Sequence, residues 1–185
     1  NTIDTVSGTT NLTIGSTNSS TVTFENGAVT GHNYPAFEAY VNSDTTISDD
    51  TDTKVQFQAT SLDTDNYWDS TNYRYKPLVA GKYFVYAQVF AGASSADIER
   101  VRTMIYKNGS ENLGSDRYLR SQYNGAGANI EPDNLTMNIS AIIDMNGTTD
   151  YLEVYTKINS SNNNNAIIFG GNSGQTGFLA YRIGA

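Results

Sequence analysis

From Pro35 onward, apolar residues fall at every second position. Phe37, Ala39 and Val41 alternate with Glu38 and Tyr40, and Val55, Phe57 and Ala59 alternate with Gln56 and Gln58. Leu135, Met137, Ile139, Ala141 and Ile143 give the cleanest run, opposed by Thr136, Asn138 and Ser140. Leu152, Val154, Thr156 and Ile158 repeat the pattern against Tyr151, Glu153, Tyr155 and Lys157. A period of two is that of a strand with one face in a core. Lys107-Asn108-Gly109, Asn124-Gly125, Asn146-Gly147 and Gly170-Gly171-Asn172 separate the runs with residues suited to tight turns. About ten strands, joined by turns and without helical crossovers, predict an antiparallel sandwich or barrel.

One run breaks the rule. Gly81–Phe90 places Tyr83, Val85, Ala87 and Val89 on one face, and Phe84, Tyr86 and Phe90, with Lys82 and Gln88, on the other. A sheet with one wet face needs only one apolar set. Both faces of this strand are therefore expected to be covered, one of them by another copy of the chain. Which set fills the core is open at this level. The closing run Gly177–Ile183 has the same character, with Phe178, Leu179 and Tyr181 spread over both faces.

Residues 1–34 are different. They are rich in Thr, Ser, Asn and Gly, and carry the apolar triplets Leu12-Thr13-Ile14 and Val22-Thr23-Phe24, ten residues apart. Short β-repeats of this kind gain a core only by stacking or by winding with neighbouring chains. The segment reads as a β-repeat stem or as a linker, and residues 35–185 as the head. The chain begins with Asn1, and it is expected to be a piece of a longer or processed protein.

Composition removes several functions. The net charge is −8, with 11 basic residues scattered along 185. Phosphate backbones and anionic membranes call for clustered Lys and Arg, so neither nucleic acid nor a polybasic membrane contact is expected. No apolar run approaches a transmembrane helix. Without cysteine there is no disulfide, thiol nucleophile or thiolate metal site. That favours a microbial or viral source. Seven Asn-x-Ser/Thr triplets reflect the abundance of these residues more than glycosylation.

Catalytic chemistry finds little to use. The one histidine, His32, lies at the junction of the two segments. Asp63, Asp65 and Asp69 alternate, and Asp44, Asp49, Asp50 and Asp52 cluster. Both sets supply hard oxygens of the kind calcium prefers, but neither has the glycine and closing glutamate of an EF-hand loop. Solvated turns are the plainer reading. Gly125-Ala126-Gly127 lacks the lysine and the context of a phosphate loop. No cofactor, metal or catalytic residue is assigned. Tyr67, Trp68, Tyr118 and Tyr123 fall in or near expected loops and are candidate ligand contacts; packing on the end of the sandwich is the alternative for Trp68.

Several short motifs carry a resemblance. Tyr75, Gly81 and Tyr83, within Tyr75–Tyr86, match the signature of the complement C1q globular head, with Val85 replacing its phenylalanine and Pro77 one place early. Pro35–Tyr40 resembles that family's opening strand, Trp68-Asp69 its aromatic–Asp pair, Lys107-Asn108-Gly109 its hairpin, and Thr176-Gly177-Phe178-Leu179 its closing strand. Together they cover residues 35–185. The resemblance implies a ten-stranded antiparallel jelly roll of the C1q and tumour-necrosis-factor type, assembled as a homotrimer whose central sheet lines the threefold axis. Tyr83, Phe84, Val85, Tyr86, Phe90, Phe178, Leu179 and Tyr181 would then lie in the core or the trimer interface. The placement of Pro77, the Asn/Thr-rich style and the stem resemble versions found in bacteriophage structural proteins.

These readings converge on a non-enzymatic protein of the virion surface: a trimeric fibre, spike or capsid appendage. Its stem would meet other virion proteins, and its head would adhere to host-surface glycans or a protein receptor. A capsid-decoration protein that binds only virion components, a bacterial secreted adhesin and a glycan-degrading tail spike are the alternatives.

Overall fold

Two antiparallel sheets enclose the core. The computed structural model describes residues 34–93, 97–118, 133–161, 163, 165–171 and 175–184. The repeats of residues 1–33, His32, Tyr123 and Gly125–Gly127 lie outside the described residues. Within them the chain forms β1 (Ala36–Tyr40), β2 (Thr45–Ile47), β3 (Thr53–Lys54), β4 (Ala59–Asp63), β5 (Trp68–Asp69), β6 (Arg74–Tyr75), β7 (Gly81–Ala93), β8 (Ile98–Lys107), β9 (Ser110–Tyr118), β10 (Asn134–Met145), β11 (Leu152–Ser160), β12 (Ala166–Ile168) and β13 (Gly177–Gly184). The count exceeds the expected ten because β2, β3, β5, β6 and β12 are pieces of two or three residues.

The two-faced run is the axis of the first sheet. β10 pairs with β7 along one edge, from Asn134↔Gly92 to Met145↔Gly81. The other edge is shared: β13 takes Lys82–Gln88, and β12 takes Ala91–Ala93. β1 adds to β13, β4 to β1, and β2 to β12. The second sheet runs β5-β6-β11-β8-β9, with β3 also pairing β11. The alternation of Val55–Ala59 is obeyed with a difference. The chain leaves the second sheet after Lys54 and joins the first at Ala59, so the segment crosses between layers. Val55 and Phe57 are nonetheless fully buried, and the Val55 amide still donates to the Val154 carbonyl at 2.9 Å.

The turns follow their sequences. Asn108 and Gly109 have φ of 55° and 78°. Positive φ at both central residues suits the twist of a two-residue hairpin, here between β8 and β9. Asn108 also ties this hairpin to the next: its Nδ2 donates to Asp150 at 2.8 Å, and its Oδ1 accepts from the Tyr151 amide at 3.0 Å.

The core takes the odd-numbered set of β7. Tyr83, Val85, Ala87 and Val89 are fully buried against Val101, Ile105, Leu152, Val154 and Ile158 of the second sheet. Tyr83 donates its hydroxyl to the Val79 carbonyl at 2.8 Å, and burial pushes its pKa up to about 12. Of the eight residues expected in core or interface, Tyr83, Val85 and Phe178 are core.

Candidate assembly face

The remaining five lie on the opposite face of the first sheet. Side chains of β7 alternate across the pleat, so Phe84, Tyr86 and Phe90 point away from the core that Tyr83, Val85 and Val89 fill. Cross-strand register then assembles rows. Phe84 lies between Ile142 of β10 and Tyr181 of β13. Tyr86 lies between Ser140 and Leu179, and Leu179 is followed by Glu38 of β1 and Leu62 of β4. The rings of Phe84 and Tyr181 are 5.3 Å apart, and those of Phe90 and Phe169 are 4.8 Å apart. Ile142 is 63% exposed, and Tyr181, Ile183 and Leu62 are each about 45% exposed. Isolated surface hydrophobes are ordinary, but contiguous apolar patches mark interaction sites.

Charge is sparse here. Among the described outward positions of β1, β7, β10 and β13, only Lys82, Asp144 and Glu38 are ionisable carriers of charge. Lys82 and Asp144 form an ion pair at 2.6 Å, and Glu38 accepts from Ser61 at 2.5 Å. Tyr86 and Gln88 supply the polar groups: the Tyr86 hydroxyl donates to Gln88 Oε1 at 2.6 Å, and Gln88 Nε2 donates to the Gln175 carbonyl at 2.9 Å.

The outer face of the second sheet is the opposite in kind. Arg100 and Asp116 pair at 2.6 Å, Arg102 and Glu111 at 2.5 Å, and Lys54 and Glu153 at 2.6 Å. Tyr106 stacks on Tyr155 at 4.1 Å, with the Lys54 ammonium 5.8 Å from the Tyr155 ring. Burial opposes the charge on Lys54, but the hydrogen bond and charge of Glu153 outweigh it and hold the amine above its usual range. These groups satisfy one another.

The acidic alternation serves the backbone. Asp63 accepts from the amides of Tyr67 and Trp68 at 3.0 and 2.9 Å. Asp69 accepts from the amides of Thr71 and Asn72 and from Arg74 Nε. Asp49 accepts from the Ser160 amide at 2.7 Å. Among the described residues no group of His, Cys, Asp or Glu is arranged to hold a metal. The expected contact residue Trp68 is committed elsewhere: its ring stacks on Phe37 at 4.9 Å, and both it and Tyr67 pack on the core. The short β5–β6 pairing turns this segment inward, into the packing position that was the alternative to ligand contact for Trp68. Tyr118 ends β9.

No protein-family model matches the chain, and no curated protein does. Solved structures do. Murine APRIL at pH 8.5 aligns with a TM-score of 0.55 at 12% identity, over 81% of this chain and 99% of that one. The globular domain of zebrafish complement 1qA aligns with a TM-score of 0.50 at 12% identity, over 80% and 97%. The fold is a C1q/tumour-necrosis-factor-like jelly roll. In this jelly roll the signature residues Tyr75 and Tyr83 are fully buried, with rings 6.2 Å apart. The motif that resembles C1q is thus part of the packing between the layers.

Proposed function

We propose that this jelly roll is a non-enzymatic head that assembles as a homotrimer through the outer face of its first sheet. The observation that carries the reading is the uncharged, half-buried patch of Phe84, Tyr86, Leu179 and Tyr181 in a chain of net charge −8. Elsewhere the acidic surface repels its own copy; on this face a second copy approaches without like-charge cost. A threefold contact is heterologous and closes as a ring.

The head is carried on a virion surface, as a fibre, spike or capsid appendage, and adheres to host-surface glycans or a receptor. The Thr/Ser/Asn-rich repeats and the phage-like placement of Pro77 support this part of the reading. Three heads on one stem convert weak contacts into avidity by raising effective concentration. Sedimentation of the purified protein at micromolar concentration tests assembly: a single trimeric species is expected, and a monomer overturns it. Binding of the trimer to host cells or glycan arrays tests adhesion; a protein that binds only viral particles is a decoration protein instead.

A further inference from the structure

The apolar part of the assembly face is interrupted in the middle. One cluster, with Phe84 and Tyr181, lies towards one end of β7 and β13; Phe90 and Phe169 form another at the far end of β7. Between them run Tyr86 and Gln88, linked hydroxyl to amide and onward to the Gln175 carbonyl. Gln88 lies opposite Asn138 of β10 and Gly177 of β13, so the polar strip continues across strands. A purely adhesive face gains more from Val or Leu at position 88, because each buried amide must give up water.

We propose that this polar strip sets the register of the assembly and closes it at three copies. The inference rests on the homotrimer reading, and its occupant is a second copy of the chain. Copies that meet level bring strip against strip, and amides find amides. A copy displaced along the strand by two residues preserves side-chain facing but sets the Gln88 amide of one copy against Phe90 and the Tyr86 hydroxyl against Phe84, stranding buried donors and acceptors. Such a displacement also prevents closure, because a heterologous contact with an axial shift grows into an open filament. The strip therefore works as a single buried polar residue does in a coiled coil: it lowers adhesion and fixes stoichiometry.

The test is native mass spectrometry and sedimentation of Gln88→Leu combined with Tyr86→Phe, with Gln88→Asn as the conservative variant. The expected result is that the double variant still associates, at the same or lower concentration, but populates species other than three copies, while Gln88→Asn stays trimeric. A double variant that remains exclusively trimeric overturns the inference. Should the double variant fail to fold by circular dichroism, Gln88→Leu alone carries the same two outcomes. The parent reading fails separately, if the unsubstituted protein is monomeric or if Phe84→Asp leaves the trimer intact.

Discussion

The rings of Phe37 and Trp68 lie 4.9 Å apart with their planes 20° from parallel. Phe37 also stacks on Tyr75, at 4.7 Å and 14°. One ring from the first sheet thus stacks on two from the second, across the layers of the sandwich. Aromatic pairs add about 0.5–1.5 kcal/mol beyond the area they bury. Phe37→Ala is expected to cost about 3–5 kcal/mol, since it opens a cavity as well. Trp68 is the one tryptophan in the chain, so its fluorescence reports this aromatic cluster, which Phe57 and Phe178 complete. In the variant, emission is expected to move to longer wavelength well below the unfolding midpoint.

Tyr75 is fully buried, and its hydroxyl has no hydrogen-bond partner. Burial and the neighbouring Tyr83 push its pKa far above the usual tyrosine value. An unsatisfied buried donor costs about 1–3 kcal/mol. Tyr75→Phe keeps the stack and removes the hydroxyl, so it is expected to raise stability by about 1 kcal/mol. A urea melt showing a lower midpoint would contradict this.

Tyr181 is 45% exposed on the assembly face, and burying a large apolar side chain contributes roughly 1.5–3 kcal/mol. Tyr181→Ala is expected to raise the concentration at which the trimer dissociates by at least about tenfold, 1.4 kcal/mol being a decade. Its effect on protomer unfolding is expected to be small. Dilution series in sedimentation read the first quantity, and thermal melting of the dissociated protein the second.

Asp150 links two hairpins. Burial alone raises its pKa, but Asn108, Lys107 and the Asn146 amide outweigh that and hold the carboxyl below its ordinary range. Lys107 Nζ is 2.9 Å from its Oδ2. A depressed folded pKa contributes stability that is present above the unfolded value, about 3.9, and is lost as pH falls through the folded one. Asp116, held down by Arg100, shifts in the same direction. The protein is therefore expected to lose stability on acidification below about pH 4. Asp150→Ala is expected to cost about 2 kcal/mol at pH 7 and to flatten the acid limb of a stability-against-pH curve.

Gly147 has φ of 69°, and a Cβ there would lie 2.3 Å from the Ala80 nitrogen. Neither the backbone angle nor the space accepts a side chain. Gly147→Ala is expected to destabilise by about 1–3 kcal/mol, and a wild-type melting temperature would refute it.

Much of this jelly roll was legible because periodicity survives tertiary context. Leu135–Ile143 and Leu152–Ile158 bury the residues that alternate, and the Asn-Gly pairs at 108 and 146 mark turns. Two features were not legible. In β7 both residue sets are apolar, so periodicity carries no sign; only the partner sheet decides that Tyr83 goes inward and Phe84 outward. At Trp68 the sequence left ligand contact and packing both open, and only the two-residue pairing with β6 shows the indole drawn onto Phe37. Long-range contacts of this kind leave no mark on local sequence. The apolar Ile142, outward on an otherwise polar face of β10, joins the candidate assembly face unannounced for the same reason: its neighbour Phe84 is 58 positions away in the chain.

β1 and β13 lie side by side, Ala36 opposite Tyr181, and β13 also supplies Leu179 and Tyr181 to the outward apolar row. A growing chain therefore covers one edge of β7 when β10 is made and leaves the other open until β12 and β13 follow. Long-range closure of this type is slow and leaves strand edges open to wrong partners. The outward row of β7 stays incomplete until β13 has been made, because Leu179 and Tyr181 come from that strand. A chain cut just before Gly177 would lack the strand between β7 and β1 and half of the outward row, so truncation there removes the closure of the sandwich and the candidate assembly face together.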